Sequence, residues 1–196
     1  MDDAGLIALA RRGDGVAFSR LFSAFEKPIF RYAAHMCGRD AADDIVQETF
    51  LALLRPSTSP RAGGYDPEKG SVGNYLFGIA RHFVMKRLNR KDIATFALDE
   101  DLERSTWKAD DRPSILERLS RAETIHALRT AIATLPAPYR EAIVLCELQE
   151  MSYADAAVVA QCPVGTVRSR LHRAKALLTT KLEATEYSQV GLRKTI

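Results

Sequence analysis

Apolar residues recur along this chain at helical spacing almost from end to end, and the period-two alternation of a half-buried strand is absent. That pattern predicts an all-α protein. A first helix over 4–12 stops near Gly13, and Asp14 caps a longer one reaching Met36. Leu21, Phe22, Phe25, Ile29, Tyr32 and Ala33 form its apolar face, and Pro28 inside it is expected to kink or divide it. Gly38 closes the unit. Asp40 is read as the cap of a helix over 41–55, buried along Ile45, Phe50, Leu53 and Leu54. Residues 56–70 are rich in Pro, Gly and Ser and predict a loop, after which Ser71 caps a helix to Lys91. A final helical unit over 122–181 is broken at Leu135-Pro136-Ala137-Pro138, with one helix running through Glu147. Residues after Glu186 are expected to fray.

Within that last unit, 152–181 reads as two helices meeting at a tight turn. Ser152 caps the first, with Asp155 three residues on as a weak capping box. Gln161 and Cys162 form the break, and Pro163 suits the first turn of a new helix. Val167, Leu171, Ala174 and Leu178 then share one buried stripe, while Arg168, Ser169, His172 and Arg173 lie opposite. Five Lys or Arg and no acid fall within 164–181. A helix-turn-helix whose second helix enters a major groove needs this pattern, with arginines for base edges and phosphates. A solvated amphipathic helix in a bundle is the plainer alternative.

Composition adds limits. The chain has 196 residues, 46% of them hydrophobic, and a net charge of only +3. No apolar run approaches the roughly 18–20 residues that span a bilayer, so membrane insertion is not expected. The start, Met-Asp-Asp, is acidic and unlike a signal peptide. Cys37, Cys146 and Cys162 form no C-x-x-C pair and read as reduced thiols of a cytoplasmic protein. His35 and Cys37 fall on different helix faces, so neither a metal nor a cofactor is expected. There is no Walker lysine loop and no nucleophile–base motif, which points away from an enzyme.

The modest total hides a sorted charge. Arg81, Lys86, Arg87, Arg90 and Lys91 share an acid-free stretch, matching the basic one at 164–181. Acids gather at 40–48 and at 99–111, where six stand against Arg104 and Lys108. Two basic helices on two small helical domains suggest two contacts with one long polyanion. The division expected is 1–91, an acidic linker over 92–121, 122–182, and a tail over 183–196.

Four phrases, in this order, resemble the two-domain extracytoplasmic-function (ECF) sigma factors of bacterial RNA polymerase. D-A-A-D-D-I-V-Q-E-T-F-L-A-L-L (40–54) is similar to the polymerase-binding helix, and Y-D-P-E-K-G-S-V-G-N-Y-L-F-G-I-A-R (65–81) to the segment reading the minus-ten element. L-P-A-P-Y-R-E-A-I-V-L (135–145) and P-V-G-T-V-R-S-R-L-H-R-A-K (163–175) are similar to the domain reading the minus-thirty-five element. The resemblance implies a non-enzymatic factor that binds core polymerase at its clamp helices and flap region, binds duplex and single-stranded promoter DNA, and is restrained by an anti-sigma factor. On this chain it assigns Asp43, Asp44, Gln47 and Glu48 to polymerase. Tyr65, Asn74, Tyr75, Arg81, His82, Lys86 and Arg90 fall to the minus-ten element. Thr166, Arg168, Ser169, Arg170, His172, Arg173 and Lys175 fall to the minus-thirty-five element, with Arg170 and Lys175 on phosphates.

Capturing an unstacked base costs a few kcal/mol, which a pocket and backbone contacts must offset. Tyr65 and Tyr75 beside a basic helix offer stacking surfaces and cations for that task, although Tyr75 fits a core position equally well. The chain also departs from the family pattern. His82 stands where many relatives carry asparagine, and Ala156-Ala157 and Ala160-Gln161 replace the usual Ile-Ala and Leu-Gly. Gln161 in place of Gly at a turn favouring positive φ is expected to cost about 1 kcal/mol and leave the second domain marginally stable.

A flexible linker over 92–121 has an end separation near 30 Å, from about 5–6 Å times the root of its length. Promoter elements two helical turns apart are roughly 70 Å from each other. The free chain is therefore expected to be too compact to hold both, and to bind DNA weakly until a partner extends it. A stand-alone helix-turn-helix regulator leaves 40–54 unexplained, and an all-helical protein-binding module leaves the basic faces unexplained.

Overall fold

The structure, a computed structural model, describes residues 3–55, 65–89 and 115–193, with side chains placed for 4–55, 65–89 and 124–183. Among these residues there are eight α-helices and no strand. The expected all-α class is met.

α1 (Asp3–Arg11), α2 (Gly15–Cys37), α3 (Arg39–Leu54) and α4 (Val72–Asn89) form the first bundle. The Asp14 carboxylate accepts from the backbone N–H groups of Val16 and Ala17 at 2.9 and 3.0 Å, so α2 starts as expected. Pro28 neither ends nor divides it: α2 is one helix of 23 residues. The carbonyl that loses its donor there belongs to Ala24, on an exposed side where water can replace the missing N–H. Gly38, at φ 86°, rather than Asp40 sits at the N-cap of α3. Two elements can abut this closely because glycine tolerates that backbone conformation. Asp40 lies in the first turn, where the helix dipole still favours its charge. Ser71 caps α4 by accepting from the Asn74 N–H at 3.2 Å. Ile29, Tyr32, Met36, Ile45, Leu53, Leu76 and Val84 are fully buried between these helices.

α5 (Ile115–Ala133), α6 (Ala137–Ile143), α7 (Tyr153–Ala160) and α8 (Val164–Arg193) make the second unit. α5 begins inside the stretch expected as linker, of which 92–114 lies outside the described residues. α6 gives way at Val144–Leu148 to a turn of π-helix, so the helix expected through Glu147 changes winding near its end. α8 continues to Arg193, past the point where fraying was expected. Its stripe of Val167, Leu171, Ala174 and Leu178 is buried, as the spacing predicts.

The two units pack together. Val144, Leu145, Ala156, Ala157, Val159, Ala160 and Val167 of the second unit belong to the same apolar cluster as the first bundle. α7 lies along α4, and α2 meets α5 and α6. A second, smaller cluster, including Ile132, Leu135, Ile143, Leu171 and Leu178, joins α5, α6 and α8.

Candidate nucleic-acid interface

On α3 the alternation of buried and exposed positions is clean. Ala41, Ala42, Ile45, Val46, Thr49 and Phe50 face the core, and Asp43, Asp44, Gln47 and Glu48 face out together. Thr49 is wholly buried, with its hydroxyl donating to the Ile45 carbonyl at 2.6 Å. Asp44 meets Arg87 at 3.4 Å, both exposed, while the surface stays acidic and polar. Such a surface suits a basic helical partner.

Tyr65 and Tyr75 come together at 5.7 Å between ring centroids, both half-buried against the first core. The Tyr75 hydroxyl accepts from Arg11 at 3.2 Å, and Arg11 also donates to the Leu53 carbonyl at 2.9 Å. Tyr75 thus has a core side and a polar edge. The turn leading to it is built by Asp66, whose carboxylate accepts from the Glu68 N–H and pairs with Lys69 at 2.9 Å. These contacts hold the Asp66 carboxyl below its usual range, the Lys69 hydrogen bond first. His82 and Lys86 are exposed on α4. Arg90 lies outside the described residues, as does 56–64 of the loop.

Asn74 and Arg81 are placed differently from the rest of their group. Asn74 is buried and donates from Nδ2 to Asp155 of α7 at 2.6 Å. Arg81 donates from Nε to Glu141 of α6 at 2.7 Å, with its other arm at 3.5 Å from the same carboxylate. Both face the second unit, not solvent.

On α8, Arg168, Ser169, His172, Arg173 and Lys175 are exposed opposite the buried stripe, and Thr166 and Arg170 are half-buried. The Arg168 guanidinium stands 5.6 Å from the centroid of Tyr153, at the start of α7, which braces it by a cation–π contact. Arg170, expected on phosphate, reaches the Cys162 sulfur at 3.8 Å and lines a cleft with Glu141. Lys175 pairs with Glu147 at 2.8 Å, which raises its pKa above the ordinary value. The turn between α7 and α8 holds Gln161 in the left-handed region, φ 52° and ψ 46°. A glycine-favouring geometry is thus filled by a residue with a side chain.

Sequence reasoning passed over Glu141 and Arg140, and placed Tyr32 on the apolar face of α2 without a partner for its hydroxyl. Glu141 is 2% exposed and also accepts from the Tyr32 hydroxyl at 3.1 Å. Burial, and after it the Glu141 charge, drives the Tyr32 pKa well above its usual value. Arg140 donates to the Met36 carbonyl at 2.9 Å and to the carbonyls of Leu135 and Ala133. The signal was available: an adjacent Arg-Glu pair inside the otherwise apolar run 137–145 must bury two charges and therefore find partners.

The family description Sigma-70 region 2 matches residues 21–93, and Sigma-70, region 4 matches 125–178. The ECF RNA polymerase sigma factor SigC of Mycobacterium tuberculosis is 34% identical over 189 residues, covering 93% of this chain and 94% of that one. The ECF RNA polymerase sigma-E factor of Haemophilus influenzae is 29% identical over 194 residues, covering 93% and 96%. Two solved complexes share the fold. CnrH bound to the cytosolic domain of CnrY aligns at TM-score 0.63 and 24% identity, over 93% of this chain and 97% of CnrH. The sigma factor RpoE bound to the anti-sigma factor NepR, from Bartonella quintana, aligns at 0.56 and 22%, over 85% and 96%. This chain belongs to the ECF sigma factors of RNA polymerase. That family acts in transcription initiation and is one of regulators rather than enzymes.

Proposed function

We propose that this sigma factor directs core polymerase to its promoters with two readers carried on separate units, 1–91 and 122–182. The α3 face of Asp43, Asp44, Gln47 and Glu48 docks on the clamp helices, and the second unit meets the flap region. Tyr65, Tyr75, His82, Lys86 and Arg90 serve the minus-ten element, with Asn74 and Arg81 joining them once the units separate. Arg168, Ser169, His172 and Arg173 read the minus-thirty-five element from the major groove, with Thr166, Arg170 and Lys175 at the flanks. Opening then draws on binding energy alone. The protein works in the cytoplasm beside polymerase, and an anti-sigma partner restrains it; the similar RpoE is found in complex with the anti-sigma factor NepR.

The single observation that carries this reading is the exposed basic face of α8 over 164–181, free of acids and standing opposite a buried stripe, directly after the turn that follows α7. Run-off transcription with core polymerase on a randomised promoter pool tests it. Enrichment of two conserved blocks about two helical turns apart is expected. Transcripts no more selective than those of core polymerase alone would refute it.

A further inference from the structure

We infer that Arg11, which no motif singles out, is a positioning residue for base capture. Its guanidinium ties the end of the polymerase-facing helix to the aromatic pair assigned to the minus-ten element. The inference rests on the sigma-factor reading and adds to it a side chain from α1. Arg11 is the last residue of α1, and its Nε donates to the Leu53 carbonyl at 2.9 Å. That carbonyl lies one residue before α3 ends, where the helix itself supplies no donor and its dipole favours a cation. From the same fork, Nη2 donates to the Tyr75 hydroxyl at 3.2 Å. The two nitrogens keep a fixed angle in a planar group, so the first bond directs the second. The Tyr75 ring is thereby held at both ends, by its backbone in α4 and by its hydroxyl.

Tyr65 stands 5.7 Å from Tyr75 between centroids, within the range over which aromatic rings attract, so fixing one ring restrains the other. An unstacked base then meets a stacking surface already formed, and ordering that surface costs nothing at the moment of capture. Tyrosine is required at 75 for this grip. Phenylalanine has no acceptor at the far end of its ring, and the indole N–H of tryptophan only donates. Both groups that Arg11 holds are uncharged, and no carboxylate pairs with it among the described residues. The grip therefore leaves in place a cation of the sign that phosphates need. Leu53 belongs to the same helix as Asp43, Asp44, Gln47 and Glu48. Through Arg11 the Tyr75 ring is thus aligned to the helix that carries the polymerase-facing surface, and not to α4 alone.

The test uses the full chain in holoenzyme, on a promoter recovered from the randomised pool with 2-aminopurine in its non-template minus-ten block. Arg11→Gln removes the grip, and Tyr75→Phe removes only the hydroxyl that is gripped. Each is expected to slow the fluorescence rise that reports unstacking by about tenfold at saturating holoenzyme, as for loss of one hydrogen bond to a charged group. Affinity for core polymerase is expected to stay at the parental value, and the double variant to be no slower than either single. Circular dichroism checks folding, and Arg11→Lys, which keeps the charge and loses the fork, replaces Arg11→Gln should that variant not fold. Slow opening in Arg11→Gln with parental opening in Tyr75→Phe would assign Arg11 to the DNA itself and overturn the positioning role. Slow opening that tracks a loss of core affinity would mark a merely structural role and overturn it too. Parental rates in both variants would overturn it while leaving the sigma-factor reading standing. Absence of promoter opening by the parent holoenzyme would instead remove the reading on which the inference rests.

Discussion

His35, half-buried on α2, is the residue whose environment most directly converts into a measurement. Burial first, then the charges of Arg129 and Arg31, lower its pKa from 6.5 to about 4. The unfolded chain therefore binds a proton in a range where the folded chain does not. Stability is highest above pH 6.5 and falls as pH drops toward 4, by up to ~3 kcal/mol from this group. Thermal melts of the parent and His35→Gln between pH 7.5 and 4.5 should converge toward the acid end, and parallel curves would contradict the shift. Gln161 supplies a second case. Its left-handed backbone strains any residue with a Cβ, so Gln161→Gly is expected to stabilise by about 1 kcal/mol, raising Tm by about 2–4 °C. An unchanged or lower Tm would show the turn relaxed around the glutamine. The positive φ at Gln161 was expected from the resemblance, whose pattern places glycine at this turn, and the glutamine itself gives no local signal of it. The sequence could mark Glu141 as a charge needing buried partners but could not name them, since Tyr32 and Arg81 are 109 and 60 residues away.

Among the elements, α3 and α8 were readable because each sorts its residues cleanly by face. Local periodicity specified most of the buried stripe and the exposed set, and tertiary packing drew in Thr166 and Arg170 on α8 while leaving Leu54 of α3 only half-buried. α2 was misjudged at Pro28, where an exposed carbonyl could lose its donor at small cost. The start of α3 was misjudged by assigning a side-chain cap where a glycine bend does the work. Each exposed face predicts a distinct loss. Reversing Asp43 and Glu48 to Lys should weaken core-polymerase binding at least tenfold in a pull-down titration, with helicity unchanged, because both are exposed and touch nothing that holds the fold. Arg173→Ala on α8 should relax preference at one promoter position by about 1–3 kcal/mol while leaving polymerase affinity alone. Binding lost equally at all sequences would assign Arg173 to phosphate instead.

For the whole molecule, the sequence anticipated an all-helical chain with two matches to sigma-factor regions, and it led to the expectation of a free chain too compact for a promoter. What it left out was the junction, because contacts across it combine residues from α2, α4, α6 and α7 that no local pattern links. The packed arrangement gives compactness a cause in specific contacts rather than in linker length alone. On the proposed reading, polymerase replaces these contacts with its own and holds the units apart. The most direct measurement compares the affinity of one promoter fragment for the isolated chain and for the chain bound to core polymerase, in the same physiological salt. Binding at micromolar strength or weaker alone, and at least about 100-fold tighter in the holoenzyme, is the predicted result. Nanomolar binding by the isolated chain would contradict it.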